Sequence, residues 1–185
     1  IKWNKVAVVD ASYMIKWNTP NFFELTSNIL STFKSLENIN WVDEGIRGYK
    51  ELFPKVDFDL KRYIDCGFQI FTKTHLSFLS TLKDFYFNNN DLILKLQSNV
   101  GRGTDQPVYN YLLQKENIDF NFELPPSYNL NHMNRFGWFS HNWQLKEDKS
   151  PFFIKYGYLW KYSGFDRKER TPLMKQTWDL VKHNY

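Results

Sequence analysis

Four short patterns in this sequence carry side chains suited to anions and hydroxyl groups. In Val9-Asp10-Ala11-Ser12 a carboxylate and a hydroxyl leave the end of an apolar run, and hard divalent cations take oxygen ligands of this kind. Side chains alternate along an extended chain, so Asp10 and Ser12 are expected on one side; the alternative is that Asp10 only caps the next turn. In Asp65-Cys66-Gly67 an acid precedes a glycine that has no Cβ, which either opens the backbone to a ligand or marks a bulge. In Gly101-Arg102-Gly103-Thr104-Asp105-Gln106 a glycine-flanked loop delivers a carboxylate and an amide to the first turn of a helix. Free N–H groups there suit sugar hydroxyls or an anion, and an ordinary acidic first turn is the plainer account. Last, Lys155, Lys161, Arg167, Lys168 and Arg170 surround Tyr158, Trp160 and Tyr162 beside a Ser163-Gly164 turn. That composition meets a diphosphate by charge and a ring by stacking.

Other chemistries lack their residues. His75, His132, His141 and His183 form neither an HExxH helix nor a Cys/His cluster, and no Walker loop, GxSxG elbow or GxGxxG fingerprint occurs. Most hydrolase, kinase and dehydrogenase readings fall with them.

Elements must position the four patterns. Lys5 to Val9 reads as a fully buried strand with Asp10 at its carboxyl end, where ligands of α/β sheets gather. Phe22, Leu25, Ile29, Leu30 and Phe33 have mixed helical spacing, and residues 41–54, with Gly45 and Gly48, read as loop. A strand is expected over Cys66 to Thr72, then a helix capped by Thr74 and running to about Phe87, with a short helix or turn over 91–98. A second capped helix starts at Thr104, tolerates Pro107 in its first turn and ends near Lys115. Ile118, Phe120 and Phe122 alternate as a half-buried strand, Phe152 to Tyr156 reads as a last strand, and Thr171-Pro172 opens a final helix. The alternation gives an α/β class in one domain over residues 1–185.

Composition agrees with one packed domain: 185 residues, 42% of them apolar and 19% aromatic. The net charge of +4 is too small to name a nucleic-acid partner. No apolar run reaches the roughly 20 residues of a membrane span, and the single Cys66 fits a reducing, cytoplasmic setting. Because the chain opens at Ile1 and enters a strand almost at once, it is expected to be part of a longer protein, with a segment of the same chain upstream.

The order of the motifs is more specific than any one of them. Val9-Asp10-Ala11-Ser12, Asp65-Cys66-Gly67, Asp105-Gln106 through Asn110-Tyr111, Leu124-Pro125 through Tyr128-Asn129, and Tyr162-Ser163-Gly164 follow one another along nearly the whole chain. This series resembles the GT-A type of nucleotide-sugar glycosyltransferase, its galactosyltransferase and glycogenin-like branch above all. The resemblance implies a GT-A-like, Rossmann-type mixed sheet flanked by helices, truncated at the N-terminus. It implies transfer of a sugar from a nucleotide-sugar donor to a glycan or other acceptor. By the same resemblance Asp10, Ser12, Asp65, Gly67, Lys161 and Gly164 bind the donor, and Asp105 and Gln106 stand at the reacting centre. His132, Trp138, His141 and Trp143 form an acceptor platform. The family's manganese or magnesium ion would sit at Asp10, but Ser12 takes the place of the second carboxylate and Lys161 that of a late histidine. Both departures point to metal-weak or metal-independent handling of the diphosphate, or to a noncatalytic carbohydrate-binding or assembly module on the same scaffold.

Overall fold

The computed structural model describes residues 3–103, 105–125, 129–130, 133 and 137–182. The expectations placed on Ile1, Thr104, Pro126, Tyr128, His132 and His183 lie outside them. The chain is α/β, with mixed sheets flanked by helices, as the alternation predicts. It divides into two compact units, one made of the residues up to Val8 with Thr26–Glu123, the other of Val9–Leu25 with the residues from Leu124 on. No helix among the described residues is long and apolar enough to cross a membrane.

The first unit is built on strands β1 (Lys5–Val9), β3 (Leu30–Lys34), β4 (Ile64–Thr72) and β5 (Phe120–Asn121), in the order β1-β4-β3-β5. The three-residue β2 (Tyr13–Ile15) belongs to the second unit. Strand β3 runs antiparallel to β4 and parallel to β5. Helices α1 (Ile39–Gly48), α2 (Leu76–Asn88), α3 (Asn90–Val100) and α4 (Gln106–Lys115) complete the unit. Its core gathers Leu30, Ile46, Tyr49, Ile64 and Leu112, with Phe53 stacked on Tyr111 at 4.5 Å.

Three expectations fail in this unit, each for a physical reason. Strand β1 is an edge and not a buried strand: Val8 is 49% exposed, because the sheet covers only one side of it. The helical spacing over Phe22 to Phe33 resolves as β3, a central strand whose Leu30, Ser31, Thr32 and Phe33 are all buried, so burial on both faces erased the period of two. Residues 39–48 are a helix, not loop. Asn38 caps it by accepting from the Asn40 and Trp41 amides, and Gly48 serves close packing, since a Cβ there would collide with the Val100 side chain. Two starts also move: α4 begins at Gln106, and β5 is shorter than the alternation of 118–122 predicts.

The helix entry after β4 is capped by Thr72, not Thr74. The Thr72 amide donates to His75 Nδ1 at 3.0 Å, and the Thr72 hydroxyl lies 3.0 Å from the same nitrogen. Burial holds the His75 imidazole below its usual pKa, against the smaller opposing effect of the Thr72 backbone contact. The folded state therefore prefers neutral His75 while the unfolded chain takes up a proton near pH 6.5. The stability this group contributes is present above that pH and is lost as the pH falls from there toward the lower folded pKa. Urea midpoints measured from pH 8 to pH 5 are expected to fall below about pH 6.5, and to fall less steeply in a His75→Gln variant.

The second unit holds a smaller sheet, β2 antiparallel to β7 (Leu159–Lys161) and β7 parallel to β6 (Asn129–Leu130), with helices α5 (Phe152–Tyr156) and α6 (Arg167–Val181). Met133, Phe153, Ile154, Trp160, Tyr162 and Val181 form its core. The stretch Phe152 to Tyr156, expected as a strand, is helix α5, because Trp160 folds back onto it and donates Nε1 to the Phe153 carbonyl at 2.9 Å. Gly157 allows that return: a Cβ there would lie 2.6 Å from Trp160 Nε1 and 2.7 Å from the Phe153 carbonyl oxygen. Helix α6 starts four residues before Thr171, with Asp166 accepting from the Arg167 amide as its cap.

Candidate functional site

In the first unit, β1, β4, α2 and the start of α4 enclose a cleft of about 350 Å³ lined by Val8, Cys66, Gln69, Phe71, Leu79, Leu82, Tyr86, Asp105 and Tyr109. The position of α4 is set by Asn110, fully buried one turn into the helix. Its Oδ1 accepts from the Ile64 amide at 2.8 Å, and its Nδ2 donates to the Ile64 carbonyl at 3.1 Å and to the Gln106 carbonyl at 2.9 Å. One side chain thus clasps the first residue of β4 and the first turn of α4, which brings Asp105 to the cleft. Tyr86 adds a second tie by donating its hydroxyl to the Asp105 carbonyl at 2.9 Å.

The walls are mostly apolar, with Asp105 exposed at the rim and Gln69 and Tyr109 inside. Gln69 is 3% exposed and Tyr109 6%. The Gln69 amide and the Tyr109 hydroxyl lie beside one another, short of good hydrogen-bond geometry, and Nε2 and Oη have no other partner. Burial raises the Tyr109 phenol above the usual tyrosine range, with the nearby Cys66 adding to the shift, and burial followed by the Asp105 charge does the same at Tyr86. Both phenols stay neutral at physiological pH. Sequence reasoning missed Gln69 and Tyr109; in sequence they read as strand and helix interior, and only the chain reversal between them sets them face to face.

Asp65 and Gly67 also lie in the first unit. Asp65 is buried, its Oδ1 accepts from the Gly67 amide at 2.6 Å, and the register of β3 against β4 shifts between Thr32 and Lys34. Thr32 Oγ1 sits 3.0 Å from both the Asp65 and the Phe68 carbonyls. The bulge, one of the two accounts left open for this motif, is the local structure here.

The other described candidates belong to the second unit. Asp10 is exposed and Ser12 buried, so the two do not share a side as an extended chain would give. The chain turns instead: Asp10 Oδ1 accepts from the Ser12 amide at 2.9 Å and the Asp10 carbonyl accepts from the Tyr13 amide at 3.0 Å. Lys161 pairs with Tyr13 across β2 and β7, is 6% exposed, and places its ammonium 5.7 Å from the centre of the Tyr13 ring. Gly164 adopts φ of 86°, which a side chain rarely tolerates. Trp138 and Trp143 lie 4.4 Å apart, Phe152 stacks on Trp138 at 5.7 Å, and His141 shares the short turn of Trp143.

A hard divalent cation takes about six or more oxygens. The turn at Asp10 offers one carboxylate, already accepting the Ser12 amide, and one neutral hydroxyl, and among the described residues no three His, Cys, Asp or Glu side chains converge. A manganese or magnesium ion there would have Asp10 as its one carboxylate, with water and phosphate oxygens supplying the rest of its shell.

No protein-family model matches the sequence, and no curated protein matches it. Among solved structures the chain is similar to the apo form of WbbM, a bifunctional glycosyltransferase, at 15% identity and a TM-score of 0.46. The overlap covers 89% of this chain and 29% of that one, so the chain spans under a third of its length.

Proposed function

We propose that the chain is a glycosyltransferase-like domain that passes a sugar from a nucleotide-sugar donor to a glycan acceptor, with Asp105 as the base at the acceptor hydroxyl. What carries this reading is the carboxylate of Asp105 at the rim of a cleft with polar groups inside and apolar walls, on the helix that bears the DQxxxN motif. Transfer then needs one proton movement at this residue. The acceptor hydroxyl gives its proton to Asp105 as its oxygen bonds to the anomeric carbon, and the bond to the diphosphate breaks with its electron pair leaving on the nucleoside diphosphate. The single carboxylate at Asp10, which already accepts the Ser12 amide, favours a second reading, a carbohydrate-binding module without transfer.

The test is release of nucleoside diphosphate from UDP-glucose, UDP-galactose and GDP-mannose, each with manganese and with a chelator. Release that survives the chelator is the expected result. No release from any donor in either condition overturns the transferase and leaves the binding module.

A further inference from the structure

We infer that the Asp105 cleft is the seat of one neutral, hydroxylated ring, a monosaccharide unit, and that Gln69 and Tyr109 select it by hydrogen bonds to its hydroxyls. The inference rests on the reading of this cleft as a glycan site, though not on sugar transfer. Three observations carry it. First, Gln69 Nε2 and Tyr109 Oη are buried with only each other to pair with, and that one contact leaves a Gln69 N–H and the Tyr109 O–H unmet, a cost that native interiors rarely tolerate unless the groups have work outside the fold. Second, the lining contains a carboxylate, an amide, phenols and a thiol but no lysine, arginine or histidine. Asp105 repels a phosphate and accepts from hydroxyls, so the ligand that fits is neutral and rich in O–H. Third, Val8, Phe71, Leu79 and Leu82 supply an apolar wall, which suits the C–H face of a sugar ring.

A site whose buried polar groups wait for hydroxyls discriminates sharply against a ligand that lacks them, because the groups then stay unpaired. The same groups weaken the free protein. Tyr109→Phe and Gln69→Met remove an under-paired buried group at nearly constant shape, so both variants are expected to melt close to the wild-type temperature while losing affinity for the ring by about tenfold or more.

Cys66 is the single cysteine of the sequence and lines this cleft, so its alkylation by iodoacetamide reports occupancy without any assay of turnover. The probes are the methyl glycosides of glucose, galactose and mannose, with inorganic phosphate and uridine as contrasts. At least one glycoside is expected to slow alkylation in the wild type, its protection to be lost in both variants, and the contrasts to have no effect. The inference is overturned if no glycoside protects, if phosphate or uridine protects better, or if both variants melt lower and show the two groups to be parts of the fold. Protection without donor turnover would remove the transferase and keep the ring site; turnover without protection would do the reverse.

Discussion

Asn110→Ala is expected to destabilise the protein by about 2–4 kcal/mol, a fall in melting temperature of roughly 5–15 °C for a chain of this size. The argument is one of orphaned groups. Asn110 and Ile64 are both fully buried, and the asparagine amide pairs both the N–H and the C=O of Ile64. Truncation leaves those two backbone groups in an apolar interior with neither a partner nor water, and frees the Gln106 carbonyl as well. Asn110→Asp should be no better. It keeps an acceptor for the Ile64 amide but sets a carboxylate against the Ile64 carbonyl. Urea melts of the wild type and both variants check this; an unchanged midpoint would mean that the clasp contributes nothing.

Asp105→Asn separates chemistry from fold at the same helix end. The Asp105 side chain is exposed and the amide is its isostere, so the change should alter stability by no more than about 0.5 kcal/mol. It cannot take a proton, and removal of a general base lowers turnover by about 10²- to 10⁴-fold. With the most active donor from the hydrolysis screen and a methyl glycoside acceptor, kcat is expected to fall by that factor with KM for the acceptor within a few-fold of wild type. A kcat within twofold of wild type would remove Asp105 as the base. Asn110→Ala, by contrast, should lose activity and stability together, because it displaces the carboxylate by loosening the helix that carries it.

What could be read in the sequence followed local rules, and what could not depended on partners far along the chain. The strands at Lys5–Val9 and Ile64–Thr72, the helix ending at Asn88 and the helix of Pro107 were legible because apolar spacing and helix punctuation are local. Strand β3 was not, since a central strand buried on both faces shows no alternation. Helix α1 was hidden behind Gly45 and Gly48, which look like loop until Val100 is seen packed against the second of them. Helix α5 was hidden because FFIKY has strand propensity and turns helical only under Trp160. At the site, Asp105 could be singled out by type and position. Gln69 and Tyr109 could not, because an unpaired buried group is a property of neighbours, not of spacing.

The division of the chain has a consequence for how the molecule is made. The peptide passes from one unit to the other at Val8–Val9, returns at Leu25–Thr26 and leaves again at Glu123–Leu124. Strand β2 must wait for β7, which comes nearly the whole sequence later, whereas β3 meets β4 sooner and all four strands of its sheet have emerged by Asn121. During synthesis the first unit can assemble as it emerges, with residues 9–25 held aside, unstructured and apolar at Tyr13, Met14 and Ile15. Until residues 159–161 follow, Tyr13–Ile15 lack the strand they pair with.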